Sequence, residues 1–333
     1  MELTTVWFVL VAALFTGYFV LEGFDFGVGA LLPALGRDER ERRTLLATIG
    51  PVWDGNEVWV ITAGGAMFAA FPAWYATLFS ALYLPLLAIL VALILRGVAF
   101  EYRGMRDDPG WRARWDAAIV FGSTAPAFLW GVAFANIARG LPLAPDGDYA
   151  GGPLDLLHPY ALLGGLVTLT LFVTHGAVFL ALKTAGELRV RALRAAARVG
   201  PVAFVSVTAF AAWTLTVRAS AASVVAAAAA VLALAAALAA NRVRREGWAF
   251  LGTALTIGLL VVCLFAALHP AVLPSTLPTG DLTVSNASSS PYTLRLMTWV
   301  AAIFAPLVLL YQGWTYWVFR KRIHTGTADA DHY

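Results

Sequence analysis

The sequence predicts an all-α polytopic membrane protein, and three observations carry that expectation. Hydrophobic residues make up 60% of the chain and charged residues only 13%, with a mean hydropathy of +0.75, whereas a soluble domain is typically about 25% charged. The apolar residues gather into runs of about 20 residues, the length a helix needs to cross a bilayer core. Arg and Lys cluster after alternate runs, as they do in a multi-pass chain that obeys the positive-inside rule. The net charge of +3 is therefore no nucleic-acid footprint, because the basic residues sit at run ends and form no patch interleaved with aromatics. Cys263 is the single cysteine and lies inside an apolar run, so the chain offers neither an internal disulfide nor a thiolate metal site. A buried small hydrophobe is its simplest role.

Nine spans are expected, over residues 5–35, 51–71, 75–100, 117–137, 159–182, 202–217, 221–240, 248–268 and 294–319. The first starts from an acidic Met1-Glu2-Leu3 and continues past Leu31, unlike a cleaved signal peptide. The second opens on Trp53-Asp54-Gly55-Asn56-Glu57-Val58-Trp59 and is apolar from there to Phe71. Only Arg218-Ala219-Ser220 separates the sixth from the seventh, so eight spans with one long hairpin is the competing count. Residues 141–157 and 269–291 read as polar loops rich in turn-forming residues, and residues 323–333 as a short disordered tail. No phosphate-binding glycine loop is present to suggest an ATP-driven machine.

Orientation follows from the basic residues. Arg37, Arg40, Arg42 and Arg43 follow the first span; Arg96, Arg103, Arg106, Arg112 and Arg114 end or follow the third; Lys183, Arg189, Arg191, Arg194 and Arg198 follow the fifth. Arg242, Arg244 and Arg245 follow the seventh, and Arg320, Lys321 and Arg322 the ninth. Of the 23 basic residues this leaves Arg139, Arg218 and Arg295 for the other side. The N-terminus is therefore expected outside and the C-terminus in the cytoplasm.

Polar residues inside the spans stand out against this background. An acid at mid-membrane costs roughly 2.5–3.5 kcal/mol on insertion scales, while a large apolar residue returns only about 0.3–0.6 kcal/mol. Such acids belong on faces turned to protein, near a membrane surface, with partners. Asp54 and Glu57, three residues apart, share a helical face at the cytoplasmic start of the second span. Glu22 and Asp25 have the same spacing in the cytoplasmic half of the first, and the third brings Arg96 and Glu101 to that level. Gly23 and Gly27 flank Asp25 in a small-xxx-small pattern that lets a neighbouring helix approach. One reading is an interhelical salt-bridge network held by Arg96. The other, preferred because the acids outnumber the base, is a proton uptake path.

The histidines and tryptophans divide similarly. His175 is the only histidine inside a span away from its ends, and Met67 and Met297 lie on distant spans, so an axial ligand pair for haem is not in evidence. His175 reads first as a hydrogen-bonded packing residue, with a proton relay or quinone contact as alternatives. Trp7, Trp74 and Trp248 read as interfacial anchors, Trp213 and Trp299 as packing.

Three blocks carry a family resemblance: Glu22-Gly-Phe-Asp-Phe-Gly-Val-Gly29, Pro51-Val-Trp-Asp-Gly-Asn-Glu-Val-Trp-Val-Ile-Thr-Ala-Gly-Gly65 and Arg96-Gly-Val-Ala-Phe-Glu-Tyr-Arg103. With Trp130-Gly-Val-Ala-Phe-Ala-Asn136 and Thr174-His-Gly-Ala-Val-Phe-Leu-Ala-Leu-Lys-Thr-Ala-Gly-Glu-Leu188, they resemble subunit II of the cytochrome bd quinol oxidases. The likeness in motif reaches about Leu193; beyond it, length and hydropathy agree. Glu101 stands where related chains can carry Asp, and His175 where others can carry Gln.

The resemblance implies two four-helix bundles, in residues 1–140 and 158–268, and a ninth helix in 292–320. It implies an obligate partner, subunit I, that holds haems b and d and the quinol site, while this chain binds no haem and holds no metal. Small single-span subunits and a structural quinone accompany some relatives. The complex oxidises quinol and reduces oxygen to water in a bacterial cell membrane, with protons drawn from the cytoplasm. By the same resemblance, spans two, three and nine face the partner, and in some relatives a proton route passes the position of Asp54 and an oxygen route that of Trp59; the polar layer adds Asp25, Glu57, Glu101, Glu22 and Arg96 as neighbours of the proton route. The alternative from a different class is a proton-coupled secondary transporter, whose central acids give a similar hydropathy pattern.

Overall fold

The computed structural model describes residues 2–278 and 280–324, so the tail expected at 323–333 lies outside the described residues from 325 onward. The described residues form eleven α-helices. In chain order they are α1 (Leu3–Leu35), α2 (Glu39–Ala47), α3 (Trp53–Ala70), α4 (Pro72–Ala81), α5 (Tyr83–Arg103), α6 (Pro109–Arg139), α7 (Pro159–Lys183), α8 (Gly186–Val217), α9 (Ala221–Arg242), α10 (Glu246–Leu268) and α11 (Pro291–Val318). Among the described residues, eight helices are long and apolar enough to cross a membrane: α1 and α5 through α11. α3, at the second expected span, is outside that group because its first turns carry Asp54, Asn56 and Glu57.

Three elements differ from the sequence expectation. The third expected span is two helices, α4 and α5, broken at Leu82. Pro85 has no N–H to offer the carbonyl four residues back, so one continuous helix cannot be closed there. The sixth span is far longer than residues 202–217. α8 starts at Gly186, because Leu188, Ala192, Ala196 and Gly200 are spaced by one turn and bury one side of the basic stretch. α2 is a helix in the stretch between the first two expected spans: Asp38 caps it, accepting from the Glu41 N–H at 2.8 Å, and Thr44, Leu45 and Leu46 bury its inner side.

α1 packs on α3, α6, α7 and α10, and α7 packs in turn on α6, α8 and α10. Their crossing is tight because Gly27 and Gly176 face each other. A Cβ on Gly27 would lie 2.1 Å from the Phe172 carbonyl, and one on Gly176 would lie 2.5 Å from the Gly27 backbone. α7 is the most enclosed span, with 72% of its apolar window buried, and α11 the least, with 6%.

At the end of the molecule opposite the basic clusters, the two expected loops close into one cap. β1 (Ala271–Leu273) and β2 (Leu282–Thr283) pair antiparallel, with Ala271 opposite Thr283 and Leu273 opposite Leu282. Leu141 donates to the Pro274 carbonyl at 3.0 Å and accepts from the Thr276 N–H at 2.9 Å. Beneath the cap, Trp74 is buried among Phe8, Phe71 and Phe265, and Trp7 is buried with its indole N–H donating to Thr298 Oγ1 at 3.1 Å, so neither is the interfacial anchor its position suggested. Trp299 is exposed on α11 and, among the described residues, packs on no other part of the chain's core.

Candidate functional site

The basic end of the bundle frames the site. Glu39 on α2 accepts from Arg43 at 2.8 Å and from both terminal nitrogens of Arg103 at 2.9 and 2.8 Å. Asp116 on α6 accepts from Arg42 at 2.8 Å and from Arg103 Nε at 2.6 Å. Glu41 pairs with Arg191 of α8 at 2.5 Å, and Glu246 of α10 with Arg189 and, at 3.7 Å, Arg322. These pairs tie together the basic ends of five helices, α2, α5, α6, α8 and α10, and the segment that follows α11. Partial burial pushes the Glu39 carboxyl upward, but the hydrogen bonds from Arg103 and Arg43 and the charges of Arg103 and Arg112 outweigh it. The group is held below the usual glutamate range.

Two turns deeper on α5, Arg96 is fully buried. Gly122 of α6 makes room for it, since a Cβ there would lie 2.6 Å from the Arg96 Cβ. The guanidinium lies 4.8 Å from the Phe26 ring centroid and 5.6 Å from that of Phe100. It pairs with the fully buried Glu22 of α1 and, at 3.3 Å, with the partly buried Glu57 of α3. Asp25, one turn beyond Glu22, is also fully buried, and its Oδ2 accepts from the Asn56 side-chain amide at 2.7 Å. Asn56 in turn accepts from the Tyr316 hydroxyl of α11 at 2.7 Å. The layer therefore joins four helices, not three.

The structure brings together Glu22, Asp25, Glu57 and Arg96, and leaves two expected members out. Glu101 is exposed at the basic end and makes no ion pair with a described residue. Asp54 is exposed in the first turn of α3, where its carboxylate accepts from the Gly55 N–H at 2.7 Å. Asp54 heads an exposed stripe continued by Val58, Ile61, Gly65 and Phe68. The buried stripe of α3 is Asn56, Ala63, Met67 and Ala70. Trp59 is half-buried, its ring lying over Gly17 of α1, where a Cβ would meet it at 2.2 Å. An apolar cavity of about 50 Å³ is lined by Phe15, Val60, Met67, Trp74, Trp130 and Phe134, among others; Trp59 is not one of its lining residues.

His175 is fully buried and stacks on Phe250 with ring centroids 4.6 Å apart. Its Nε2 is 3.1 Å from the Val20 carbonyl, which only accepts, so Nε2 carries the proton. Nδ1 then accepts from the Thr253 hydroxyl at 2.6 Å. Both nitrogens are engaged, so the residue does not fit a haem axial position. Among the described residues, no group of three or more His, Cys, Asp or Glu could hold a metal ion. Chemically, the polar layer sets one guanidinium against three acids. It can take up a proton without acquiring net positive charge, a property shared by proton-handling sites inside membranes.

The family model described as cytochrome bd terminal oxidase subunit II matches residues 3–319. The chain is 43% identical over 332 residues to the cytochrome bd ubiquinol oxidase subunit 2 of Bacillus subtilis, covering 97% of each. It is 37% identical over 360 residues to the cytochrome bd-I ubiquinol oxidase subunit 2 of Escherichia coli, covering 96% of this chain and 94% of that one. Its fold is similar to a chain of the bd oxidase structure from Geobacillus thermodenitrificans, with a TM-score of 0.77 and 16% identity over 96% of this chain and 97% of the other.

Proposed function

This chain belongs to the cytochrome bd terminal oxidase subunit II family, and on that premise we propose that it is the haem-free subunit of a membrane complex that oxidises quinol and reduces oxygen. The single observation that carries this reading is the family match over residues 3–319. The secondary transporter is not supported: the polar layer sits toward the basic end, whereas a transporter binds near the midplane between repeats. Subunit I is the partner that would hold haems b and d, since His175 has both nitrogens occupied. By the same token a structural quinone, if the complex holds one in this subunit, touches residues other than His175. Small single-span subunits and the quinol itself would meet the complex elsewhere.

The architecture we favour is nine spans. α3 has 18 residues, about 27 Å of helix, which with α4 behind it suffices for a crossing. α1, α3, α5 and α6 would form the bundle of residues 1–140, α7 to α10 that of 158–268, and α11 the ninth helix. The basic end would face the cytoplasm and the N-terminus the outside. A carboxylate on an otherwise apolar exposed stripe is costly against lipid. The Asp54 stripe of α3, with the exposed faces of α5 and α11, is therefore read as the surface that subunit I covers. Protons would enter from the cytoplasm past Asp54 and Glu57 to the Glu22, Asp25 and Arg96 layer. Oxygen would reach the partner past Trp59; the apolar cavity lined by Val60, the next residue of α3, supports that reading.

The test is quinol-driven oxygen consumption by the assembled complex carrying Asp54→Asn. Asn keeps the shape of Asp but cannot ionise, so turnover falls about tenfold or more while haem content is unchanged. Wild-type turnover across the pH range would remove Asp54 from the route, and joint loss of haem and activity would make it structural.

A further inference from the structure

We infer that Tyr316, on α11, is a positioning residue for Asp25 and acts through the side-chain amide of Asn56. The inference rests on the reading of the polar layer as a proton route. Tyr316 donates its hydroxyl hydrogen to Asn56 Oδ1, and Asn56 donates from Nδ2 to Asp25 Oδ2, each at 2.7 Å. Asn56 and Asp25 are both fully buried, so no bulk water competes for these bonds.

The chemistry of the amide makes this chain directional. One end of Asn only accepts and the other only donates. While Tyr316 donates to Oδ1, the N–H side must face Asp25, and an N–H donor favours the ionised carboxylate. In the reverse arrangement a protonated Asp25 donates to Oδ1 and the amide nitrogen donates to the phenol oxygen. The hydroxyl then has to find another acceptor. The polarity of the chain and the proton on Asp25 are thus linked, and Tyr316 biases the link toward the proton-free arrangement. The other groups facing Asp25 are Glu22 on its own helix, Asp54 and Glu57 on α3 and Arg96 on α5, with His175 of α7 further along α1 at Val20. None of them contacts the Asn56 amide, so removing one oxygen from Tyr316 leaves them in place.

α11 also docks on α3 through Gln312, which donates to the Gly55 carbonyl at 3.1 Å one turn before Tyr316. This bond separates docking from orientation. In the assembled complex with full haem content, Tyr316→Phe should move the alkaline limb of the oxygen-consumption pH profile upward by about one pH unit. That is about tenfold in proton affinity, the size expected for one charge-assisted hydrogen bond. Gln312→Leu should leave the profile unmoved, and Tyr316→Phe should add no shift to an Asn56→Leu background. The infrared carboxyl band that Asp25→Asn removes should move with Tyr316→Phe and not with Gln312→Leu. An unmoved band in Tyr316→Phe, or an equal movement in Gln312→Leu, overturns the inference, even where turnover of Asp25→Asn shows the route to be real. If Asp25→Asn turns over like wild type, the route reading fails by itself, and the infrared comparison still decides whether Tyr316 orients Asn56.

Discussion

Arg96 holds its place because everything around it was shaped to receive a planar cation: no side chain on Gly122, rings from Phe26 and Phe100, and the carboxylates of Glu22 and Glu57. Removing the cation leaves two fully buried acids without their counter-charge. Breaking a buried pair from one side costs about 3–5 kcal/mol. Arg96→Met should therefore lower the yield and melting temperature of the complex sharply. The double variant Arg96→Met with Glu22→Gln should recover part of that loss, since it removes the orphaned charge with the cation. Equal melting temperatures for wild type and Arg96→Met would show that the acids are solvated and that the layer is open to water. Glu22, Asp25, Glu57 and Arg96 were legible in the sequence because charge inside an apolar run is conspicuous. Asn56 and Tyr316 were not, being a neutral amide beside two acids and one more aromatic in an aromatic-rich helix.

At the scale of elements, the face of a span that turns inward is what the sequence conceals. Beyond its first turn, α3 is apolar on both its buried stripe, Ala63, Met67 and Ala70, and its exposed one, Val58, Ile61 and Phe68. Lipid and protein interior are equally apolar, so periodicity has no contrast to report there. This is why Asp54 and Glu57, sharing a face by spacing, end up on the exposed side and beside Arg96 respectively. Small residues give a better signal. Gly27 and Gly176 set the distance between α1 and α7, so Gly176→Ala should destabilise by about 1–3 kcal/mol through overpacking. Gly247→Ala, with nothing within 4 Å, should be neutral or slightly stabilising. Thermal unfolding of the two variants in the same detergent checks the contrast. The ion pairs of α2 act on elements too. Glu39 has a depressed carboxyl pKa, so its contribution is present above the unfolded value of about 4.3 and is lost as pH falls through the lower folded value. With 33% of its side chain exposed, that contribution is small, about 1 kcal/mol or less after screening. Wild type should melt slightly above Glu39→Gln at neutral pH, and the two should converge only below about pH 4.

For the molecule as a whole, the gathering of basic residues at one end was legible because basic residues cannot follow a helix across lipid. Helix ends were not, since amphipathic starts such as that of α8 look like loops until Leu188, Ala192 and Ala196 are seen to pack. The structure gathers the basic ends of the spans through Glu39, Glu41, Asp116 and Glu246, and the loops 141–157 and 269–291 at the opposite end through Leu141 and Pro274. The proposed orientation rests on charge alone: an end rich in Arg resists translocation, whereas a cap with little positive charge does not. A reporter that is active only outside the cytoplasm distinguishes the two. Inserted at Asp146, exposed in the cap loop, it should be active; inserted at Arg244, exposed in the turn between α9 and α10, it should be silent. Both sites avoid the buried ion pairs, so insertion leaves the bundle intact. Activity at Arg244 with silence at Asp146 would invert the molecule and turn the polar layer away from the cytoplasm, and proton uptake through Asp54 from that side would fall with it.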